Sequence, residues 1–266
     1  MTAIAVSIAG SDSSGGAGLQ ADLKTFSAFG VYGATIITAL TAQNTRGVDA
    51  IHNVPTRFVS EQIDSVFSDL TVNAVKIGML SEADIICAVA EGLQRHNARA
   101  IVLDPVMVAT SGDVLLNTSA IDTLRRVLLP MADLITPNLP EAAELLDEPL
   151  ATDEDAMLAQ AHRLLAHGPQ AVLVKGGHGT GETSVDILVT QKGTQSFSAP
   201  RISTRNTHGT GCTLSAAIAA GLAKGMSLPD AIASAKSYLT AALIKSDKLT
   251  IGHGSGPVHH FHALWS

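Results

Sequence analysis

The chain has 266 residues, 46% of them hydrophobic, 15% charged and 3% aromatic, with a formal net charge of −7. That composition describes a globular protein, and an acidic balance with few aromatic rings argues against nucleic acid or an anionic membrane as partner. Two distant cysteines without a CxxC pair, a start without a basic n-region and no apolar run of the ~18 residues a bilayer needs lead to the expectation of a soluble cytoplasmic protein.

Ala3 to Ala9 is a short apolar run ending at Gly10, which reads as a buried strand. The loop Gly10-Ser11-Asp12-Ser13-Ser14-Gly15-Gly16-Ala17-Gly18 follows. It leads into a helical pattern through Leu23, Phe26, Ala28 and Phe29 that stops at Gly30. Ala34 to Leu40 predicts a second strand, Thr41 to Gly47 a polar loop, and Val48 to Val54 a short strand. Pro55 opens a helix to about Phe67. Ala74 to Ile77 is another buried strand, and Ser81 is the expected cap of a helix reaching about His96.

Ile101 to Pro105 reads as a strand ending on the carboxylate of Asp104. Ser119 begins a helix that closes near Pro130. Leu134 to Thr136 is a strand running into Pro137-Asn138-Leu139-Pro140-Glu141, and two helical pieces follow, the second from about Asp153 to His167. Ala171 to Val174 ends at Lys175-Gly176-Gly177. Val185 to Thr190 and Gln195 to Ser198 form a hairpin turning at Lys192-Gly193. A β-prone run, Arg201 to Thr204, precedes Asn206-Thr207-His208-Gly209-Thr210-Gly211-Cys212, which opens a helix with Leu214, Ile218 and Leu222 on one face. Pro229 opens a long last helix through Lys236 and Leu243, and the Gly-rich tail from Gly252 has no clear period.

Strands alternating with helices, without linker or repeat, predict one α/β domain over 1–266: a mostly parallel, doubly wound sheet covered on both faces. In such sheets ligands gather beyond the carboxyl ends of the strands. Here those ends carry Gly10 to Asp12, Gln43-Asn44, Gly78-Met79, Asp104, Asn138 to Glu141, Lys175 and the stretch at Cys212, so the polar and Gly-rich chemistry falls on one rim.

At Gly209 to Cys212, two glycines at a helix mouth free backbone N–H groups for an anion, and the same field favours thiolate at Cys212. The alternative is a plain strand-to-helix connection with an inert Cys. Neither phosphate fingerprint fits: Gly10 to Gly15 has P-loop spacing but is followed by Gly16-Ala17, and the loop is not GxGxxG. No GxSxG elbow exists. Asn138 and Glu141 suit a hydrated Mg²⁺, or simply a capped helix start. Lys175 suits phosphate, or a solvated turn. Asp22 complements a helix dipole, and Gln43 and Asn44 alone are ordinary loop amides. The histidines His253, His259, His260 and His262 read as a structural tail, and Cys87 as core filler.

Together these stretches resemble the ribokinase-like superfamily, and within it the hydroxymethylpyrimidine/phosphomethylpyrimidine kinases of thiamine biosynthesis. The similarity runs nearly end to end. It takes in Ile8 to Asp12 with Gly15 to Gly18, Gln20 to Thr25, Thr38 to Leu40 with Ala42 to Thr45, Lys76 to Leu80, Asp104 to Met107, Thr136 to Glu141, Lys175 to His178, Asn206 to Cys212 and Gly256 to Phe261. The resemblance implies a three-layer αβα sandwich and ATP-dependent phosphorylation of the hydroxymethyl group of an aminopyrimidine, then of its monophosphate. By the same analogy Gly209, Thr210, Gly211 and Cys212 serve the transferring phosphoryl. Gln43, Asp22, Gly10, Ala17, Met79 and Val106 meet the pyrimidine. Lys175, Asn138, Lys236 and Asp104 lie on the ATP side, and Glu141 holds Mg²⁺ through water.

The sugar kinases of the superfamily carry Asp as general base where this chain has Cys212, so Cys212 is expected to accept or orient the hydroxyl proton. A homodimer is expected. The rivals are a pyridoxal/pyridoxine kinase on the same scaffold and a catalytically silent sugar- or nucleoside-binding regulator. The hairpin 184–198 and the loop 10–18 are the candidate lids.

Overall fold

A computed structural model describes residues 2–108, 116, 118–178 and 181–265. Among them nine strands form one sheet. In chain order they are β1 (Ile4–Asp12), β2 (Tyr32–Asn44), β3 (Gly47–Asn53), β4 (Ala74–Ile77), β5 (Ile101–Leu103), β6 (Leu134–Ile135), β7 (Ala171–Val174), β8 (Thr183–Thr190) and β9 (Gly193–Pro200). Across the sheet they lie in the order β3-β2-β1-β4-β5-β6-β7-β8-β9. Pairing is parallel from β2 through β7 and antiparallel at β2–β3, β7–β8 and β8–β9.

The short central strands are buried on every residue, which is why they read as apolar runs, broken only by Lys76 in β4, instead of alternating ones. Their pleat still sorts side chains between two cores. Val6 and Ile8 join a cluster with Val59, Ile63, Ile85 and Leu93, from helices α2 (Thr56–Asp69) and α3 (Ala83–Arg95). Ala5 and Val102 point the other way, into a cluster with Phe26, Leu214, Ile218 and Ile232. That second layer is built by α1 (Gly18–Ala28), α7 (Thr210–Ala223) and α8 (Leu228–Ile244). The first layer is completed by α4 (Thr118–Thr123), α5 (Leu139–Leu146) and α6 (Glu154–Leu165). The expected doubly wound αβα architecture is therefore what the chain forms.

Helix α7 is buried almost all round because it is written in small residues. Ala216, Ala217, Ala219 and Ala220 are wholly buried, and Gly221 lets it close on α8, where a Cβ would stand 2.9 Å from that of Ala231. No described helix is long and apolar enough to cross a membrane.

Four local expectations change. Thr41 to Asn44 is not a loop but the end of β2, paired antiparallel with β3 past a bulge at Ala42/Gln43. Gln and Asn are poor strand formers, and the pairing overrides them. Ser81 does not cap α3. The cap position is Glu82, and Ser81 Oγ donates to Asn53 Oδ1 at 2.6 Å instead. Arg201 to Thr204 is irregular, since β9 ends at Pro200. Cys87 is only partly buried on α3.

Candidate active site

The carboxyl ends of the parallel strands open onto a cavity of about 1030 Å³. The start of α7 stands at its middle. Gly209 is the residue before the helix, at φ +79°, and a Cβ there would lie 2.0 Å from Gly16 O, so only glycine fits. On the other side a Cβ on Gly211 would lie 3.5 Å from Lys175 Nζ and 3.6 Å from Asp104 Oδ2. Thr210 N is bonded to Thr207 O and Thr213 N to Gly209 O. The amides of Gly211 and Cys212, in the cavity wall, are the first-turn donors left for an anion.

Strand order divides the cavity in two. Gly10, Ala17, Gln43, Met79 and Val106 line the part beyond β1, β2, β4 and β5. Asn138, Glu141, Lys175, Asp186 and Lys236 line the part beyond β6, β7 and β8.

In the first part the Gly-rich loop is tied down. Asp12 Oδ1 accepts from Ser14 N, and its Oδ2 accepts from Gly16 N and Ala17 N and pairs with His208 Nε2 at 2.8 Å. Burial works against that carboxylate, but the hydrogen bonds from His208, Ser14 and Ala17 prevail and hold it down at about 2. The 10–18 loop is thus braced against the anion cradle instead of being built as a loose lid. The tail completes the brace. His208 N donates to Gly256 O, Ser255 N to Thr45 O, and His253 N and Gly254 N to Thr45 Oγ1. Buried His260, pushed down to about 3 by burial, meets Thr213 Oγ1 at 3.0 Å through Nε2.

In the second part cations and carboxylates alternate. Lys175 Nζ lies 2.7 Å from Asp104 Oδ1 and 3.9 Å from Glu141 Oε2. Lys236 Nζ lies 2.7 Å from Asp186 Oδ2. Asp186 Oδ1 also accepts from Gly176 N. Burial alone would lift Asp104, yet Lys175 and Lys76 hold it below the usual carboxylate range. Glu141 is pushed up to about 7 by burial, with Asp104 adding to the push and Lys175 opposing it. Asn138 and Glu141 form a full capping box on α5: Asn138 Oδ1 accepts from Glu141 N, and Glu141 Oε2 from Asn138 N.

Two expected roles change. The Cys212 thiol is pushed up to about 11, because burial, with Asp22 and Asp104 near, outweighs Lys76 and the hydrogen bond with the Gly18 backbone. It is a thiol near neutral pH, not a thiolate. Asp22 is wholly buried on α1, off the cavity wall, bonded to Lys76 Nζ at 2.8 Å and Ser7 Oγ at 2.5 Å. It lies behind the wall and is not part of it.

Lys76 and Asp186 escaped sequence reasoning. Each is a charge inside an apolar strand, Ala74–Ile77 and the β8 run Val185 to Val189, and that interruption was the available signal.

A cavity with an anion cradle at its centre and a differently lined chamber on either side suits phosphoryl transfer between two bound small molecules. The class so defined is a small-molecule kinase on the ribokinase-like fold. Residues 12–259 match the sequence model of a family described as phosphomethylpyrimidine kinase. The chain is 59% identical over 261 residues to the hydroxymethylpyrimidine/phosphomethylpyrimidine kinase of Salmonella typhimurium, covering 98% of both. A solved phosphomethylpyrimidine kinase from Clostridium difficile is 44% identical, with TM-score 0.81 over 90% of this chain and 99% of that one. The ADP complex of Bacillus subtilis pyridoxal kinase superposes with TM-score 0.91 over 99% of each chain at 36% identity. This chain belongs to the phosphomethylpyrimidine kinase family. Backbone shape alone would not have separated the two activities.

Proposed function

We infer that this chain, as one domain over 1–266, transfers the γ-phosphoryl of ATP to 4-amino-5-hydroxymethyl-2-methylpyrimidine and then to its monophosphate, in thiamine diphosphate biosynthesis. The observation that carries the reading is the anion cradle of Gly209 to Cys212, set between an apolar, amide-bearing chamber and a charged one. In the first chamber Gln43 presents an amide to the aminopyrimidine, Met79 and Val106 flank the ring, and Gly10 and Ala17 let it approach backbone. In the second, Lys175 and Lys236 face phosphates, with Asn138 and Asp104 fixing the geometry. Asp22 acts only through Lys76.

The hydroxymethyl oxygen bonds to the γ-phosphorus as the bond to the bridging oxygen breaks, ADP departs with that electron pair, and the hydroxyl proton passes to an oxygen of the transferred phosphoryl group and from there to water. Cys212, held as a thiol, orients the hydroxyl and does not abstract its proton. Among the described residues no cluster of three or more His, Cys, Asp or Glu could hold a metal. The donor set suits a mostly hydrated Mg²⁺: the carboxylates of buried Glu141 and Asp104 both line the cavity, oxygen donors that would complete a shell made mostly of water. Bound there, Mg²⁺ would neutralise charge on the nucleotide phosphates.

A cytoplasmic homodimer belongs to the same proposal. Exposed Leu40 and Ile51 on β2–β3 and Phe58 on α2 offer apolar surface to a second copy, and both cysteines are free thiols. The test is ADP release with MgATP on hydroxymethylpyrimidine, its monophosphate and pyridoxal at equal concentration. Turnover of both pyrimidines is expected. Preference for pyridoxal would overturn the assignment, and no substrate-dependent turnover would favour a silent binding protein.

A further inference from the structure

One charge beside the cavity has no part in the reaction so far. Lys76 lies within β4, where every residue is buried, and its side chain has 0% exposure. Its ammonium donates to Asp22 Oδ2, which also accepts from Ser7 Oγ, while Asp22 Oδ1 is buried with no partner. The backbone keeps space for it: a Cβ on Gly78 would stand 2.8 Å from Lys76 Nζ and 3.0 Å from Ala9 Cβ. Lys76 contributes to the cavity wall although water does not reach it, so its charge acts on the contents from just below the surface.

Its place in the sheet tells which contents. Of the cationic side chains in the wall, Lys175, Lys236 and Arg201 belong to the end at β7 to β9, and His208 is committed to Asp12. Lys76, on β4 beside β1, is on the acceptor side. A chamber that takes a neutral alcohol and later its phosphate monoester must accommodate roughly two added negative charges at one place. A cation in a low-dielectric wall acts strongly on such charge and little on a neutral hydroxyl.

The geometry points to Lys76 as the residue that admits the phosphorylated acceptor, with Asp22 setting how much of its charge reaches the cavity. In that second transfer a monoester oxygen forms the bond to the γ-phosphorus, the bond to the bridging oxygen breaks, and ADP leaves with the electron pair. The acceptor is already anionic, so the demand is for positive charge more than for proton removal.

The inference rests on one site serving both acceptors. It is tested with the full chain carrying Lys76→Met together with Asp22→Asn, which removes both charges, and with Asp22→Asn alone. Asn matches Asp in size, and its amide oxygen can still accept from Lys76 Nζ and Ser7 Oγ. The readout is kcat/KM on the monophosphate divided by kcat/KM on the alcohol, with MgATP. The ratio falls roughly tenfold or more in the pair variant, the size of one lost charge contact, and rises in Asp22→Asn. A purely structural role would lower both acceptors together, so an unchanged ratio in both variants overturns the inference, as does a change of opposite sign. Should the pair variant fail to fold, the sign in Asp22→Asn decides. A wild type inert on the monophosphate overturns the shared-site reading and the inference with it.

Discussion

The two chambers of the cavity handle charge in opposite ways. Toward β6 to β8 the charges are in the wall itself: Lys175 and Lys236 keep 11% and 10% of their side chains exposed, each 2.7 Å from a carboxylate. Toward β1 and β2 the wall is mostly glycine, alanine, methionine and valine with the amide of Gln43; its carboxylate, Asp12, is spent on loop amides and His208, and the Lys76–Asp22 pair is wholly buried. A polyphosphate needs partners it can pull from their carboxylates. A flat neutral ring needs apolar contact and a few fixed hydrogen bonds. The lesson is that one fold supplies both by the depth at which it sets its ion pairs.

The strongest blow to that division is at the junction. Gly209→Ala forces a Cβ into Gly16 O at φ +79° and disturbs the amides both ligands share. kcat/KM is expected to fall roughly a hundred- to thousandfold, the size of losing a preorganised donor, measured by coupled ADP release beside a thermal melt. Unaltered turnover would mean the cradle is elsewhere.

Next comes Glu141→Gln on the charged side. The Mg²⁺ concentration for half-maximal rate should rise roughly ten- to a hundredfold. The same variant tests its titration. The folded pKa, about 7, stands above the ordinary value of 4.5, so the native state binds the extra proton between those values. Its contribution to stability without metal is therefore lost as pH rises from 4.5 to about 7. Gln should flatten that part of the melting-temperature profile, and an identical slope in both proteins would contradict the placement.

On the neutral side, Gln43→Ala should raise KM for hydroxymethylpyrimidine about tenfold with a smaller change in kcat, as expected for one lost hydrogen bond. A loss confined to kcat would move Gln43 from binding to chemistry. The smallest effect is reserved for Cys212→Ser. A thiol near 11 is no base at neutral pH, so kcat should change by less than about tenfold, below what a general base contributes. A larger loss, removed with an ionisation in the pH profile, would restore the base role.

The sequence made the layers legible because β7 is an unbroken apolar run and β4 is broken only by Lys76, and the structure gives them the boundaries read from Ala74 to Ile77 and Ala171 to Val174. The capping box at Asn138 and Glu141 was equally plain, since it is local. What stayed hidden depended on partners distant in the chain. Thr41 to Asn44 becomes strand through pairing with β3, Asp22 loses its ligand to Lys76, and burial reverses the local effect of the helix start on Cys212.

The contacts of the tail carry a consequence for how the protein is made. Thr45, on the turn beside Gln43, and His208, in the cradle, are both fastened by residues 253–258, through Ser255 to Thr45 and Gly256 to His208, alongside the link through Ser13 and Asp12. On the ribosome the ring-reading hairpin emerges some 200 residues ahead of the segment that fastens it. A nascent chain can complete its sheet while this clasp is still unsynthesised, so residues 253–258, and not the core, complete the bracing of the site.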